Sequence, residues 1–219
     1  MAKKTSSLKV FFYPGNLSGW ASVAIFKLRH MYCKLIPVDY TNPFPMEEVD
    51  EKDIVAIIGY CPMFNVLEEI MGKLNIVWLI DDDIATNEYA DKYNLKERLQ
   101  HTHCLVLNED TDYSICELVY MWMNKVPYEK VPYHLTLIGK YDKKNFKDRN
   151  VIPFQYAARA WLSDVRNSIQ PWKRFITTPT EHDKAFLNGL IEKGKLMQMY
   201  LNKKMEQTEY SKVFYGPDY

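Results

Sequence analysis

Three consecutive aspartates, Asp81, Asp82 and Asp83, close the apolar run Ile76 to Ile80. Carboxylates this dense either hold a divalent cation or repel one another as a solvated turn, with one of them capping a helix that starts near Ala85. Two carboxylates are enough for a single Mg²⁺ or Mn²⁺ that keeps most of its water. A second segment able to do chemistry is Pro14-Gly-Asn-Leu-Ser-Gly19, between an apolar run and a helical pattern. Its Asn16, its Ser18 and the amides around Gly15 and Gly19 precede a helix, where orphan N–H groups and the helix dipole favour a phosphate. An ordinary tight turn accounts for the same residues.

Other chemistries have less support. The cysteines, Cys33, Cys61, Cys104 and Cys116, show no CxxC or Cys/His spacing and read as free thiols in a reducing compartment, which places the chain in the cytoplasm. His30, His101, His103, His134 and His182 share no HxxxH or HExxH spacing. Neither Ser18 nor Cys61 has an identifiable base beside it, so a nucleophilic triad is not expected.

The elements that position these residues follow from hydrophobic runs. Leu8 to Tyr13, Lys34 to Val38, Ile54 to Ile58, Ile76 to Ile80 and His103 to Leu107 read as strands. Gly19 to Met31, Phe64 to Leu74 and Ser114 to Met123 have helical spacing. Continuous apolar strands alternating with helices are what a doubly wound, mainly parallel α/β sheet requires. That domain is expected over residues 1–142, closed by a polar turn from Asp142 to Arg149. Residues 143–219 read as a helical extension, with helices at Phe154 to Leu162 and Glu181 to about Met205, followed by the aromatic tail TEYSKVFYGPDY. In the last helix Phe186, Leu187, Leu190, Ile191, Leu196, Met197, Tyr200 and Leu201 are either core or an interface.

Composition bounds the partners. The chain has 219 residues, 47% hydrophobic and 14% aromatic, enough for a sizeable core. Lys plus Arg and Asp plus Glu both total 28, so no global field steers it to nucleic acid or an anionic membrane, and any nucleotide site must be local. The first residues carry no signal-peptide core, and no run approaches a membrane span.

In a doubly wound sheet the ligand lies beyond the carboxyl ends of the strands. The loops expected there are Pro14 to Gly19, Gly59-Tyr-Cys-Pro62, Asp81 to Asp83 and Gly139-Lys-Tyr-Asp142. Their order and spacing resemble the DHH phosphoesterase superfamily, which includes exonucleases, oligoribonucleases, cyclic-dinucleotide phosphodiesterases and manganese pyrophosphatases. Gly19-Trp-Ala-Ser-Val-Ala-Ile looks like the helix after the family's HxDxDG loop, and Val77-Trp-Leu-Ile-Asp81 like the strand entering DHH itself. Val38-Asp-Tyr-Thr-Asn-Pro-Phe-Pro45, Ser114-Ile-Cys-Glu-Leu118 and Leu137-Ile-Gly-Lys-Tyr-Asp142 are similar to further family segments. After the helical segment the sequence shows no glycine-rich and histidine motif, so the family's C-terminal substrate-binding domain is expected to be lacking.

The resemblance implies a two-metal site, commonly Mn²⁺, that activates water for in-line attack on phosphorus. Five of its positions are altered. Pro14 stands for the histidine, Asn16 and Ser18 for two aspartates, Gly59 for another aspartate, and the triplet reads Asp81-Asp82-Asp83. Neutral or missing donors cannot hold paired metals. What the resemblance leaves is a metal set of Asp81, Asp82, Asp83 and Asp142, with Asp82 and Asp83 as candidate catalytic residues. It also aligns Lys140 with the cleft, where it either replaces a metal's charge or is an ordinary surface lysine. Arg159 either clamps phosphate or pairs with a neighbouring carboxylate.

Three functions remain open. The first is a degenerate phosphoesterase-like protein that binds or sequesters a nucleotide, a cyclic dinucleotide or a short oligonucleotide without cleaving it. The second is a divergent phosphodiesterase with a Mn or Mg site rebuilt at Asp81–Asp83 and Asp142. The third is an interaction subunit that presents its long helix and tail to a protein partner or a second copy.

Overall fold

The structure, a computed structural model, describes residues 7–74, 76–98, 104–107, 112–162, 164–177 and 180–215, with side chains through 205 apart from those of residues 76, 96, 104 and 107. His101, His103 and the last tail residues, 216–219, lie outside the described residues.

Five short apolar runs form the strands β1 (Leu8–Phe12), β2 (Lys34–Pro37), β3 (Ile54–Ile58), β4 (Ile76–Asp81) and β5 (Cys104–Leu107). They build one sheet in the order β2-β1-β3-β4-β5, and every neighbouring pair is parallel. Successive side chains alternate between two cores. Val10, Phe12, Ala56, Ile58 and Ile80 face one side, while Phe11, Val55, Ile57, Val77 and Leu79 face the other. Both sets are buried, which is why these strands read as unbroken apolar runs.

Helices α2 (Phe64–Lys73), α3 (Ile84–Lys92) and α4 (Leu95–Arg98) cover the second face through Leu67, Ile70, Ala90 and Leu95. The first face is covered by α1 (Leu17–Arg29) and α5 (Ile115–Asn124), and on these packs a C-terminal group: α6 (Tyr133–Asp142), α7 (Val151–Trp161), α8 (Gln170–Ile176) and α9 (Glu181–Tyr215). The architecture is thus a doubly wound α/β fold. Phe154, Trp172, Phe175, Leu187, Leu190 and Ile191 carry the core of the α1 side into the C-terminal helices.

Two elements differ from the sequence reading. Gly139 to Asp142, expected as a strand-end loop, forms the last turn of α6. A short apolar run such as Leu135 to Ile138 fits a buried helix as well as a strand, and here all four residues are buried on a helix that begins after Pro132. Helix α8, with Pro171 in its first turn, falls where no element was expected. The long helix divides: Leu187, Leu190 and Ile191 are core, whereas Leu196 and Tyr200 are 66% and 67% exposed. Among the described residues no helix is long and apolar enough to cross a membrane.

The chain leaves β1 for β2, then passes back over β1 to β3 and continues to β5. The order therefore reverses between β1 and β3, and the carboxyl ends around that point are where such a sheet receives a ligand.

Candidate functional site

Asn16 caps α1 from extended backbone, and its Oδ1 accepts the Gly19 N–H at 2.8 Å. That amide is therefore spent on the cap, as in an ordinary helix start. The Asn16 side chain then reaches across the cleft, its Nδ2 donating to Asp142 Oδ1 at 2.9 Å. Ser18 is 1% exposed; its Oγ accepts the Cys116 N–H at the start of α5 at 3.1 Å and lies beside the Asp142 carboxylate. Trp20 fastens the loop from the other side, its indole N–H donating to the Pro14 carbonyl at 3.0 Å.

The three aspartates after β4 point in three directions. Asp81 is buried and turns inward, where it accepts the Asp82 N–H at 2.8 Å and the Thr86 hydroxyl at 2.7 Å. Burial pushes its carboxyl up to about 6. Asp82 faces the cleft and is taken by Lys143, whose Nζ lies 2.8 Å from Oδ2 and donates to the Asp82 carbonyl at 3.0 Å. Asp83 is exposed and caps α3 by accepting the Ala85 N–H at 3.0 Å. Asp142 is also pushed up to about 6, first by burial and next by the charge of Asp82, while Lys143, Ser18 and Asn16 pull the other way.

Asp82, Asp83, Ile84, Asp142, Lys143 and Lys144 line an open groove of about 620 Å³. The structure thus brings Asn16, Ser18, Gly19, Asp82 and Asp142 together around the strand ends. Lys140 and Arg159 lie elsewhere. Lys140 is 3.5 Å from Asp148 and sits over the Tyr133 ring. Arg159 is exposed on α7 over the Tyr141 ring, 5.7 Å from its centroid. The cations that line the groove are Lys143 and Lys144, and Lys143, which pairs with Asp82, is one that sequence reasoning missed. Its local signal was its place directly after Asp142.

A paired-metal centre does not fit these residues. Among the described residues, no three His, Cys, Asp or Glu side chains converge to hold an ion. Asp81 is committed to Thr86, Asp83 to a helix cap and Asp82 to a lysine ammonium. At the position aligned with another carboxylate, Gly59 has φ 61°, a left-handed conformation that disfavours an L side chain. Millimolar Mn²⁺ is therefore expected to shift the melting temperature by less than about 1 °C. A rise of several degrees that Asp82→Asn removes would reinstate a metal site. Nucleophilic chemistry fares no better, since burial and then the charge of Asp81 push the Cys61 thiol up to about 12.

No protein-family model matches this sequence, and no curated protein does. Among solved structures, the crystal structure of an uncharacterized protein from Helicobacter pylori G27 is similar, with a TM-score of 0.51 and 12% identity over 87% of this chain. The match spans 62% of that protein's length. At this identity the likeness is one of fold alone.

Proposed function

We propose that the chain is a catalytically silent, DHH phosphoesterase-like protein whose strand-end cleft binds a nucleotide, a cyclic dinucleotide or a short oligonucleotide without cleaving it. The observation that carries this reading is the closure of the cleft carboxylates on the protein itself. Asn16, neutral where the resemblance expects a metal ligand, donates to Asp142, the equally neutral Ser18 lies beside it, and Lys143 holds Asp82. These bonds substitute protein donors and one fixed ammonium for the charge that divalent cations supply in a hydrolytic site. The groove stays open, and Lys143 and Lys144 on its wall suit a phosphate. Free thiols at Cys33, Cys61 and Cys116 suit a reducing cytoplasm.

The test is incubation of the purified protein with Mn²⁺ and a pool of cyclic dinucleotides, linear dinucleotides and short RNA, followed by ultrafiltration and chromatography of both fractions. One compound retained intact is the expected result. New products would establish a phosphodiesterase with a rebuilt site. Neither retention nor cleavage would move the function to a protein partner, for which the exposed Leu196, Met199, Tyr200 and Met205 of α9 are the candidate surface.

A further inference from the structure

We propose that the cleft has two parts and that Tyr40 is its base-stacking residue, so that the ligand carries a nucleobase beside its phosphate. This inference rests on the nucleotide-binding reading above and narrows it, because a base-free phosphate would leave half of the site unused.

Tyr40 stands on the loop from β2 to β3 with 63% of its surface exposed. One side of the ring leans on Tyr60, with centroids 4.6 Å apart and planes 34° apart, and Tyr13 lies 6.0 Å away. Tyr60 is itself buried and stacks on Phe44 at 6.2 Å, and Phe44 rests on Phe11 of β1 at 4.6 Å. Tyr40 is thus the outermost layer of an aromatic column rooted in the core. Tyr60 supports the ring from below, and 63% of the residue's surface is left exposed for a ligand. Base–aromatic stacking needs that arrangement, and it tolerates any base because every base has a π-face.

The ring is also held in place before any ligand arrives. Asp39, next to it, accepts from the backbone amides of Thr41 and Asn42 and from both of their side chains. Phe44 anchors the loop farther on, between Pro43 and Pro45. The Tyr40 hydroxyl accepts the Cys61 N–H at 3.4 Å, which places the ring over the carboxyl end of β3. Strand β4, which ends at Asp81 and leads into Asp82 and Asp83, is the next strand in the sheet. The charges of Asp81 and Asp83 reach the Tyr40 hydroxyl and add to the effect of burial in pushing it up to about 12. Adjacent strands are about 4.8 Å apart, so a nucleotide lying across two strand ends can set its base on Tyr40 and its phosphate toward Lys143 and Lys144.

The experiment is calorimetric titration of the full chain with two probes, a 5′-phosphorylated adenine dinucleotide and inorganic pyrophosphate, using Tyr40→Phe and Tyr40→Leu variants. Tyr40→Phe keeps the π-face and is expected to bind the dinucleotide within about threefold of the parent. Tyr40→Leu is expected to weaken it by roughly ten- to a hundredfold and to leave pyrophosphate binding unchanged. Melting curves of both variants verify the fold, which an exposed side chain should not disturb. If Tyr40→Leu binds the dinucleotide as tightly as the parent, the stacking role is wrong while the nucleotide cleft stands. If the parent binds neither probe, the stacking role and the nucleotide reading fall together.

Discussion

Gly19→Ala is expected to melt about 6–12 °C below the parent, a loss of about 3 kcal/mol or more. An alanine Cβ at this position would stand 2.0 Å from the Tyr13 carbonyl oxygen, closer than any nonbonded contact allows. Backbone is the obstacle, so no rotamer change relieves it. Moving the loop would break the Asn16 cap and the Trp20 bond to Pro14, and with them the Asn16 contact to Asp142. Gly194→Ala belongs to the same class, since its Cβ would come 1.8 Å from the Pro153 carbonyl where α9 crosses α7. The control lies one turn earlier on α9. Nothing is within 4 Å of a Cβ on Gly189, so Gly189→Ala is expected to stabilise by about 0.5–1 kcal/mol through helix propensity alone. Thermal melts of the three variants check the account. Equal, small shifts at positions 19 and 189 would show that the close approach at Gly19 is not structural.

Those glycines also mark how far the sequence can be read. Strands such as Ile54–Ile58 and Ile76–Asp81 were legible because burial on both faces forces continuous apolar runs, and from them the doubly wound parallel sheet followed. A helix cap from the aspartate triplet was legible as one of the alternatives because it depends only on neighbouring residues, and Asp83 is the residue that makes it. Ser114 and Glu117 form a capping box whose signature, Ser-x-x-Glu, is equally local. The groove was not legible, because the contacts that make it join distant parts of the chain. Asn16 and Asp142 are 126 residues apart, and Lys143 and Asp82 are 61 apart. Taking Gly139–Asp142 as a loop then carried the error to the cation. Once that segment is a helix, Lys140 lies within its last turn and meets Asp148, while Lys143 follows that turn and meets Asp82.

The second large effect concerns charge in that groove. Asp142→Asn is expected to match the parent near pH 4 and to exceed it in stability by about 1–2 kcal/mol at pH 8. An acid raised from 3.8 to about 6 binds more protons folded than unfolded between those values, so the stability it contributes is present at low pH and is lost as pH rises through the window. Asp81 follows the same sign and range, and Asp81→Asn should behave alike because the Thr86 hydroxyl can accept as well as donate. His134 runs the opposite way. Burial lowers it to about 4, so its stability is lost as pH falls from its ordinary value toward that one. The parent's own pH curve therefore sums opposing contributions, and the informative quantity is the difference between variant and parent at each pH. The groups facing Asp142 are Asn16, Ser18, Asp82 and Lys143, and of these Lys143 alone favours the ionised carboxylate by its charge. The expected gain stays below the roughly 3 kcal/mol that a two-unit shift implies because Asp142 is only partly buried and water screens part of the cost. The same variant bears on the proposed ligand. An ionised Asp142 beside Asp82 repels a phosphate, whereas a neutral group does not, so a bound nucleotide should be held more tightly by Asp142→Asn than by the parent at pH 8. If the variant is instead less stable than the parent at pH 8, the carboxylate is a net stabilising anchor for Asn16, Ser18 and Lys143, and the cleft does not store the electrostatic cost assigned to it.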